Sequence, residues 1–313
     1  MSDFLAIVDE SPERLNRLLH SAAALQPLFE SGGASSVLAG KTVVLAFFEN
    51  STRTRSSFAR AAALLGLSAI NFDAAISSTQ KGESLDDTAL NLAAMRPHLF
   101  VVRHSEAGAP RRVAEITGIP TINAGDGAHE HPSQALLDAY CLQQHFGKLA
   151  GLKVLICGDL RHSRVARSNL HFLTKLGAQV ALCSPPALGF DEGTALPAGA
   201  TIAADFDSAL LGADAVMLLR LQHERMSDPF PSPGGEYRSG WGMTQERAAK
   251  MRKHAVVMHP GPMNRGIEID SVVADGPRSL ILKQVEGGVI CRAALYLDLL
   301  GKTDQQALAK TLS

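Results

Sequence analysis

Phe47-Phe48-Glu49-Asn50-Ser51-Thr52-Arg53-Thr54-Arg55-Ser56-Ser57-Phe58 is the stretch on which the reading of this chain turns. It completes an apolar run, Thr42-Val43-Val44-Leu45-Ala46-Phe47-Phe48, of the length and continuous hydrophobicity of a buried strand. The run stops at Glu49 and Asn50. Ser51 and Thr52 carry the side chains of helix caps, and Phe58, Ala61, Ala62 and Leu65 then recur at helical spacing. The polar residues therefore sit where a strand hands over to a helix. Backbone N–H groups and the positive end of the helix dipole converge at such a point. Arg53 and Arg55 lie where a cation opposes that dipole. As plain surface charges they weaken the helix. Beside the hydroxyls of this turn they fit around a bound dianion, and a phosphate has the right charge and size.

The rest of the chain repeats the strand-then-helix alternation. Apolar strand-like runs occur at Ser68-Ala69-Ile70-Asn71-Phe72, His98-Leu99-Phe100-Val101-Val102 and Pro120-Thr121-Ile122-Asn123, and later at residues 152–157, 179–183, 215–219 and 255–258. A weaker strand falls at 200–203. Helices are expected after Ser11-Pro12, after Ser84 and from about His131, each with a capping residue or a proline suited to a first turn. This pattern predicts an α/β protein of two domains, each a parallel sheet flanked by helices, with the active site in the cleft between them. The polar connector at 147–151 divides the chain into a first domain at 1–147 and a second at 148–287. A C-terminal helix at 288–313 is expected to pack back on the first. Residues 228–241, rich in Pro, Gly and Ser, read as a long functional loop.

Composition narrows the function. The chain has 313 residues, 46% hydrophobic and 19% charged, with a net charge of −1. That balance leaves no basic field for nucleic acid, so any strong positive potential is local. No run approaches membrane-spanning length. The opening Met1-Ser2-Asp3-Phe4-Leu5 lacks a basic segment and a long apolar core, so no secretory signal is expected and a cytoplasmic location is. Cys141, Cys157, Cys183 and Cys291 are scattered with no C-x-x-C pair, as for buried thiols in a reducing compartment and not for a metal site. No metal or organic cofactor is expected.

Ser51, Arg103, His131, Arg164, Arg220 and His259 each fall at or just after the C-terminal end of an expected strand. Open α/β sheets bind ligands there. Any one of them reads equally well as a polar loop residue; six drawn from both halves point to a common site. In His131-Pro132-Ser133-Gln134, Pro132 suits a helix start, and His131 and Gln134 lie one turn apart and can face one point. Arg220 and Gln222, two apart in an extended segment, present their side chains on one side. Arginine's planar fork suits a carboxylate. Arg161 and Arg167 read as solvated helix charges.

Ser51-Thr52-Arg53-Thr54-Arg55 resembles the carbamoyl-phosphate signature of the transcarbamoylase family, and the later motifs follow in that family's order over most of the chain, most closely those of its aspartate-using branch. The resemblance implies transfer of a carbamoyl group from carbamoyl phosphate to L-aspartate, a committed step of pyrimidine biosynthesis. It implies that Ser51, Thr52, Arg53, Thr54 and Arg103 hold the phosphate, that Thr54, Arg103 and His131 donate to the carbamoyl oxygen, and that Gln134 and the carbonyls of Pro260 and Gly261 hold the carbamoyl nitrogen. Arg164 matches the arginine for the α-carboxylate of aspartate, and Arg220 with Gln222 the pair for the β-carboxylate. Glu49 matches a residue that pairs with Arg164 and Arg225 on domain closure. Ser77 and Lys81 match residues that enter a neighbouring subunit's site, which implies a homotrimer with shared active sites. Some members add a regulatory or a dihydroorotase-like chain, and both stay open for this one. Gly261 stands where many members have Leu.

Three other readings compete. A carbamoyltransferase for another amine is opposed by Arg220 and Gln222, which suit a dicarboxylate; an ornithine enzyme would carry His-Cys-Leu-Pro in place of His259-Pro260-Gly261-Pro262 and an Asp-x-x-x-Ser-Met-Gly segment, and neither is present. A dinucleotide-binding oxidoreductase would show G-x-G-x-x-G after Cys157, which is absent. A non-catalytic assembly subunit would be expected to have lost ligand residues, and the full set is here.

Overall fold

The computed structural model describes residues 3–73, 83–222 and 235–301. The chain divides into two compact units, Met1–Tyr140 with Val285–Ser313, and Cys141–Gln284. The division falls within the helix Pro132–Phe146, where the sequence had placed it at the 147–151 connector.

The first unit holds β1 (Thr42–Phe47), β2 (Ser68–Asp73), β3 (Leu99–His104) and β4 (Thr121–Asp126) in the order β2-β1-β3-β4. Each pairing is parallel. Val43 to Phe47 are buried without alternation, as in a sheet covered on both faces. Val44, Ala46, Phe100 and Val102 pack on one side with Ala89, Leu92 and Val113. The last two belong to helices Leu85–Ala93 and Ala109–Thr117, the second of which the sequence reading did not identify. The caps at Ser11 and Ser84 form, with their hydroxyls accepting from Arg14 N and Asp87 N. The chain start joins the far edge of β4, where Phe4 N donates to Thr121 O at 2.9 Å.

The helix Ile281–Leu299 starts seven residues earlier than the expected 288, and residues 302–313 lie outside the described part. Its later turns belong to the first unit. There Asp298 pairs with Arg14 at 2.8 Å, and Tyr296 Oη donates to Phe58 O at 3.1 Å.

The second unit holds β5 (Lys153–Cys157), β6 (Gln179–Cys183), β7 (Ala200–Ile202), β8 (Ala215–Leu218) and β9 (Val256–Met258) in the order β7-β6-β5-β8-β9. These pairings too are parallel. All nine expected strands are present among the described residues, the short β7 included. Gly158 closes β5 with φ of +133°, and a Cβ there would stand 2.9 Å from Leu219 O, so only glycine lets the chain turn against β8. Part of the long 228–241 stretch is ordered as the helix Glu236–Trp241, and 223–234 lie outside the described residues.

In each sheet the strand order reverses direction between two neighbours: β1 and β3 in the first unit, β5 and β8 in the second. Crossovers leave those two strands in opposite directions, which opens a crevice at their C-terminal ends.

Candidate active site

In the first unit the turn at 51–55, where the sequence leads us to expect a phosphate, follows β1, one side of the reversal. Ser51 occupies the cap position of helix Thr52–Leu64, yet its hydroxyl makes no capping bond. That differs from Ser11, Ser84 and Ser163, whose hydroxyls all cap. The first turn of the helix carries Arg53 and Arg55 and no acidic residue. Thr52 and Arg53 are exposed, Arg55 is half-buried and Thr54 is buried. The turn thus offers hydroxyls, N–H groups and cations together, a combination that a phosphate satisfies.

Arg103 lies across the reversal. The sequence put it just after a strand; β3 continues to His104, and Arg103 is in register with Phe47 of β1. That register brings it beside the residues that follow Phe47. Arg103 Nη1 donates to Ala124 O at 3.3 Å, and Nε stands 3.3 Å from Glu49 Oε2. Glu49 and Arg103 therefore form a pair within this unit.

His131 ends the loop after β4, and Gln134 lies in the first turn of the helix Pro132–Phe146 that follows it. That loop is pinned by Asp126, a buried carboxylate accepting from Gly108 N at 2.7 Å, Asn123 Nδ2 at 2.8 Å, His129 Nδ1 at 3.0 Å and Glu130 N at 3.1 Å. His131 is buried, with Nδ1 3.4 Å from Ser133 Oγ, and its carbonyl accepts from Gln134 N at 2.9 Å. Gln134 Nε2 donates to the buried Asp138 Oδ1 at 2.9 Å. The sequence reading missed Asp126 and Asp138. Asp138 stands out as an acid in the apolar run Ala135-Leu136-Leu137-Asp138-Ala139, while Asp126, between Gly125 and Gly127, carries no such signal.

In the second unit Arg164 opens helix Arg164–Lys175 after the capping Ser163, and is only 6% exposed. Arg220 follows β8 across that sheet's reversal and is half-buried. Gln222 Nε2 donates to His162 O at 3.0 Å, and Gln222 N to Asp159 Oδ2 at 3.3 Å. The fully buried Asp159 also accepts from His162 N and Nδ1, so one carboxylate ties the β5 loop to the β8 loop. Arg161 pairs with Asp191 at the surface, while Arg167 lies over the Phe190 ring with its pKa lowered by burial, so only Arg161 is the solvated charge expected.

After β9, His259 is fully enclosed. Its Nδ1 accepts from Gly261 N at 2.8 Å, which places the ring proton on Nε2, 3.3 Å from Glu268 Oε1. Glu268 also accepts from Asn264 N at 2.6 Å. His259 and Glu268 therefore hold the loop carrying Pro260 and Gly261. Gly261 has φ of +66°, in the region where glycine is unstrained and leucine is not.

Ser77, Lys81 and Arg225 lie outside the described residues. The other expected site residues lie at the C-terminal edges of the two sheets. Ser51, Thr52, Arg53, Thr54, Arg103, His131 and Gln134 are in the first unit, and Arg164, Arg220, Gln222, Pro260 and Gly261 in the second.

Two family models match consecutive parts of the chain. The family model "Aspartate/ornithine carbamoyltransferase, carbamoyl-P binding domain" matches residues 2–144, and "Aspartate/ornithine carbamoyltransferase, Asp/Orn binding domain" matches 150–299. The aspartate carbamoyltransferase catalytic subunit of Anaeromyxobacter sp. (strain K) is 48% identical over 312 residues, covering 97% of both chains. That of Novosphingobium aromaticivorans is 55% identical over 272 residues, 85% of this chain and 79% of the relative. Among solved structures, aspartate transcarbamoylase from Trypanosoma cruzi in complex with carbamoyl phosphate superposes with a TM-score of 0.85 at 28% identity over 96% and 95% of the two chains. Ornithine carbamoyltransferase from Thermus thermophilus gives 0.83, also at 28%, over 95% and 98%. Backbone likeness thus does not separate the two amine specificities; the higher identities fall with the aspartate enzymes. This chain belongs to the aspartate/ornithine carbamoyltransferase family, and within it groups with the catalytic subunits of aspartate carbamoyltransferase.

Proposed function

We propose that this chain is an aspartate carbamoyltransferase, converting carbamoyl phosphate and L-aspartate to N-carbamoyl-L-aspartate and phosphate in pyrimidine biosynthesis. What carries the reading is full-length identity of 48% to catalytic subunits of that enzyme, together with the phosphate turn at the β1/β3 reversal. The first unit takes carbamoyl phosphate. Ser51, Thr52, Arg53, Thr54 and Arg103 bind its phosphate; His131 with Thr54 and Arg103 donates to the carbamoyl oxygen; Gln134 and the Pro260 and Gly261 carbonyls accept from the carbamoyl nitrogen. The second unit takes aspartate, Arg164 at the α-carboxylate and Arg220 with Gln222 at the β-carboxylate. Since Gln222 also holds His162 O, its role includes fixing the loop.

The uncharged α-amine attacks the carbamoyl carbon. Negative charge builds on the carbonyl oxygen against Thr54, Arg103 and His131. The C–O bond to phosphate then breaks, and the departing phosphate accepts the amine proton. No protein nucleophile enters this scheme. Positioning contributes up to roughly 7–11 kcal/mol in well-oriented reactions, and each oxyanion donor about 10²–10³ in rate.

We place the chain in a homotrimer whose sites are completed by a neighbour's Ser77 and Lys81, and in the cytoplasm. Family resemblance supports the first. The second is supported by four buried cysteines, none in a disulfide. The name "catalytic subunit" of the relatives is compatible with an added regulatory or dihydroorotase-like chain. Among the described residues no helix is long and apolar enough to cross a membrane.

The test is product formation from labelled carbamoyl phosphate with L-aspartate or L-ornithine as the only amine. Carbamoyl aspartate from aspartate alone is expected. Citrulline from ornithine would keep the phosphate site and overturn the roles of Arg220 and Gln222.

A further inference from the structure

Resting on the carbamoyl-transfer reading above, we infer that Asp138 is a positioning residue that sets which end of the Gln134 amide meets the ligand, and so lets the site tell a carbamoyl phosphate from other acyl phosphates. Asp138 lies one helical turn after Gln134 on the helix Pro132–Phe146 and is fully buried. Its Oδ1 accepts from Gln134 Nε2 at 2.9 Å. A carboxylate only accepts, so the amide must turn its NH₂ toward Asp138. That leaves Gln134 with its carbonyl Oε1, which makes no hydrogen bond among the described residues.

The orientation matters because the terminal torsion of glutamine is broad and roughly two-fold. Without a fixed partner, the amide presents oxygen or nitrogen with similar ease. An exposed Oε1 suits a ligand group that only donates, which is what the nitrogen of a carbamoyl group does. An exposed NH₂ would set donor against donor and leave both unsatisfied. The methyl group of acetyl phosphate offers no proton to Oε1, while its phosphate and carbonyl are the same. Asp138 thus acts on the nitrogen end of the donor and leaves the phosphate end alone.

The experiment measures binding of carbamoyl phosphate and acetyl phosphate by calorimetry to the full chain, wild type, Asp138→Ala and Asp138→Asn, with circular dichroism to verify the fold. In Asp138→Ala, carbamoyl phosphate should weaken about tenfold and acetyl phosphate stay within about twofold, so the preference falls about tenfold. Asn at 138 presents either end of its own amide, and the preference should fall about threefold. Equal weakening of both phosphates in folded Asp138→Ala marks a merely structural role and overturns the inference. An unchanged preference in Asp138→Asn does so even where Asp138→Ala does not fold. Failure of the wild type to bind carbamoyl phosphate is a different result, which removes the functional reading itself.

Discussion

Arg103 shows how much and how little one residue tells. Its place after an apolar run marked it as a strand-end cation, which many surface arginines are. The structure adds register with Phe47, a bond to Ala124 O, and Glu49 at 3.3 Å, all of which hold the guanidinium at the edge where the phosphate turn begins. A donor so held needs little reorganisation when charge develops beside it. Arg103→Ala is expected to lower kcat by about 10² or more with the fold intact, checked by steady-state kinetics and circular dichroism. Near-normal kcat would remove it from the mechanism. The residues that sequence could not flag, Asp126, Asp138, Asp159 and Glu268, are all buried acids. Nothing in the spelling of an acid distinguishes a solvated one from one that anchors a loop.

At the scale of elements, the helix Thr52–Leu64 and the helix Ile281–Leu299 belong together. Arg292 of the second is buried. It donates from Nη1 to Ser57 Oγ and lies 4.8 Å from the centre of the Phe58 ring. Burial lowers its pKa to about 10. The folded state therefore disfavours the charge it carries at neutral pH, and this cost to stability fades only as pH rises from about 10 toward the unfolded value. The neighbouring Gly288 makes the arrangement possible, since a Cβ there would stand 2.7 Å from Arg292 Nη1 and 3.4 Å from Leu137 Cδ2. Gly→Ala inside a helix ordinarily gains up to about 1 kcal/mol. Here overpacking, typically about 1–3 kcal/mol, falls on a buried cation with nowhere wetter to go, so the clash should win. Gly288→Ala is expected to lose about 1–2 kcal/mol in denaturant unfolding, and Arg292→Met in the same chain to restore most of it. A gain in stability for Gly288→Ala alone would show that Arg292 can move aside.

At the scale of the whole molecule, the site residues follow topology. Each sheet reverses once, and each reversal has an arginine on or after both of its strands: Arg53 after β1 and Arg103 in β3 of one unit, Arg164 after β5 and Arg220 after β8 of the other. The proposed function assigns the phosphate to the first of these sites and the dicarboxylate to the second. The proposed sharing of sites in a trimer has a direct check. Mixed Arg53→Ala and Lys81→Ala chains, each inactive alone, are expected to recover about a quarter of wild-type activity after random subunit exchange at equal ratio, because each mixed trimer then holds one site that draws both intact residues from different chains. No recovery after exchange is verified by native mass spectrometry would place Lys81 in its own chain's site or outside it.

What the sequence determined by itself was everything written over a few residues: the strand-helix alternation, the caps at Ser11 and Ser84, the strand-to-helix turn at 51–55 and the ordered motifs that marked the family. Those signals are local because periodicity and capping bonds span one or two turns. Strand order, the Arg103–Glu49 pair, the proton position on His259, the orientation of Gln134 and the burial of Arg292 were decided by tertiary structure. Ser57 and Arg292 are separated by 235 residues, and only folding brings the second against the first. Even the Gln134–Asp138 bond, four residues long, acquires its meaning from a core that excludes water and so makes one amide orientation much better than the other.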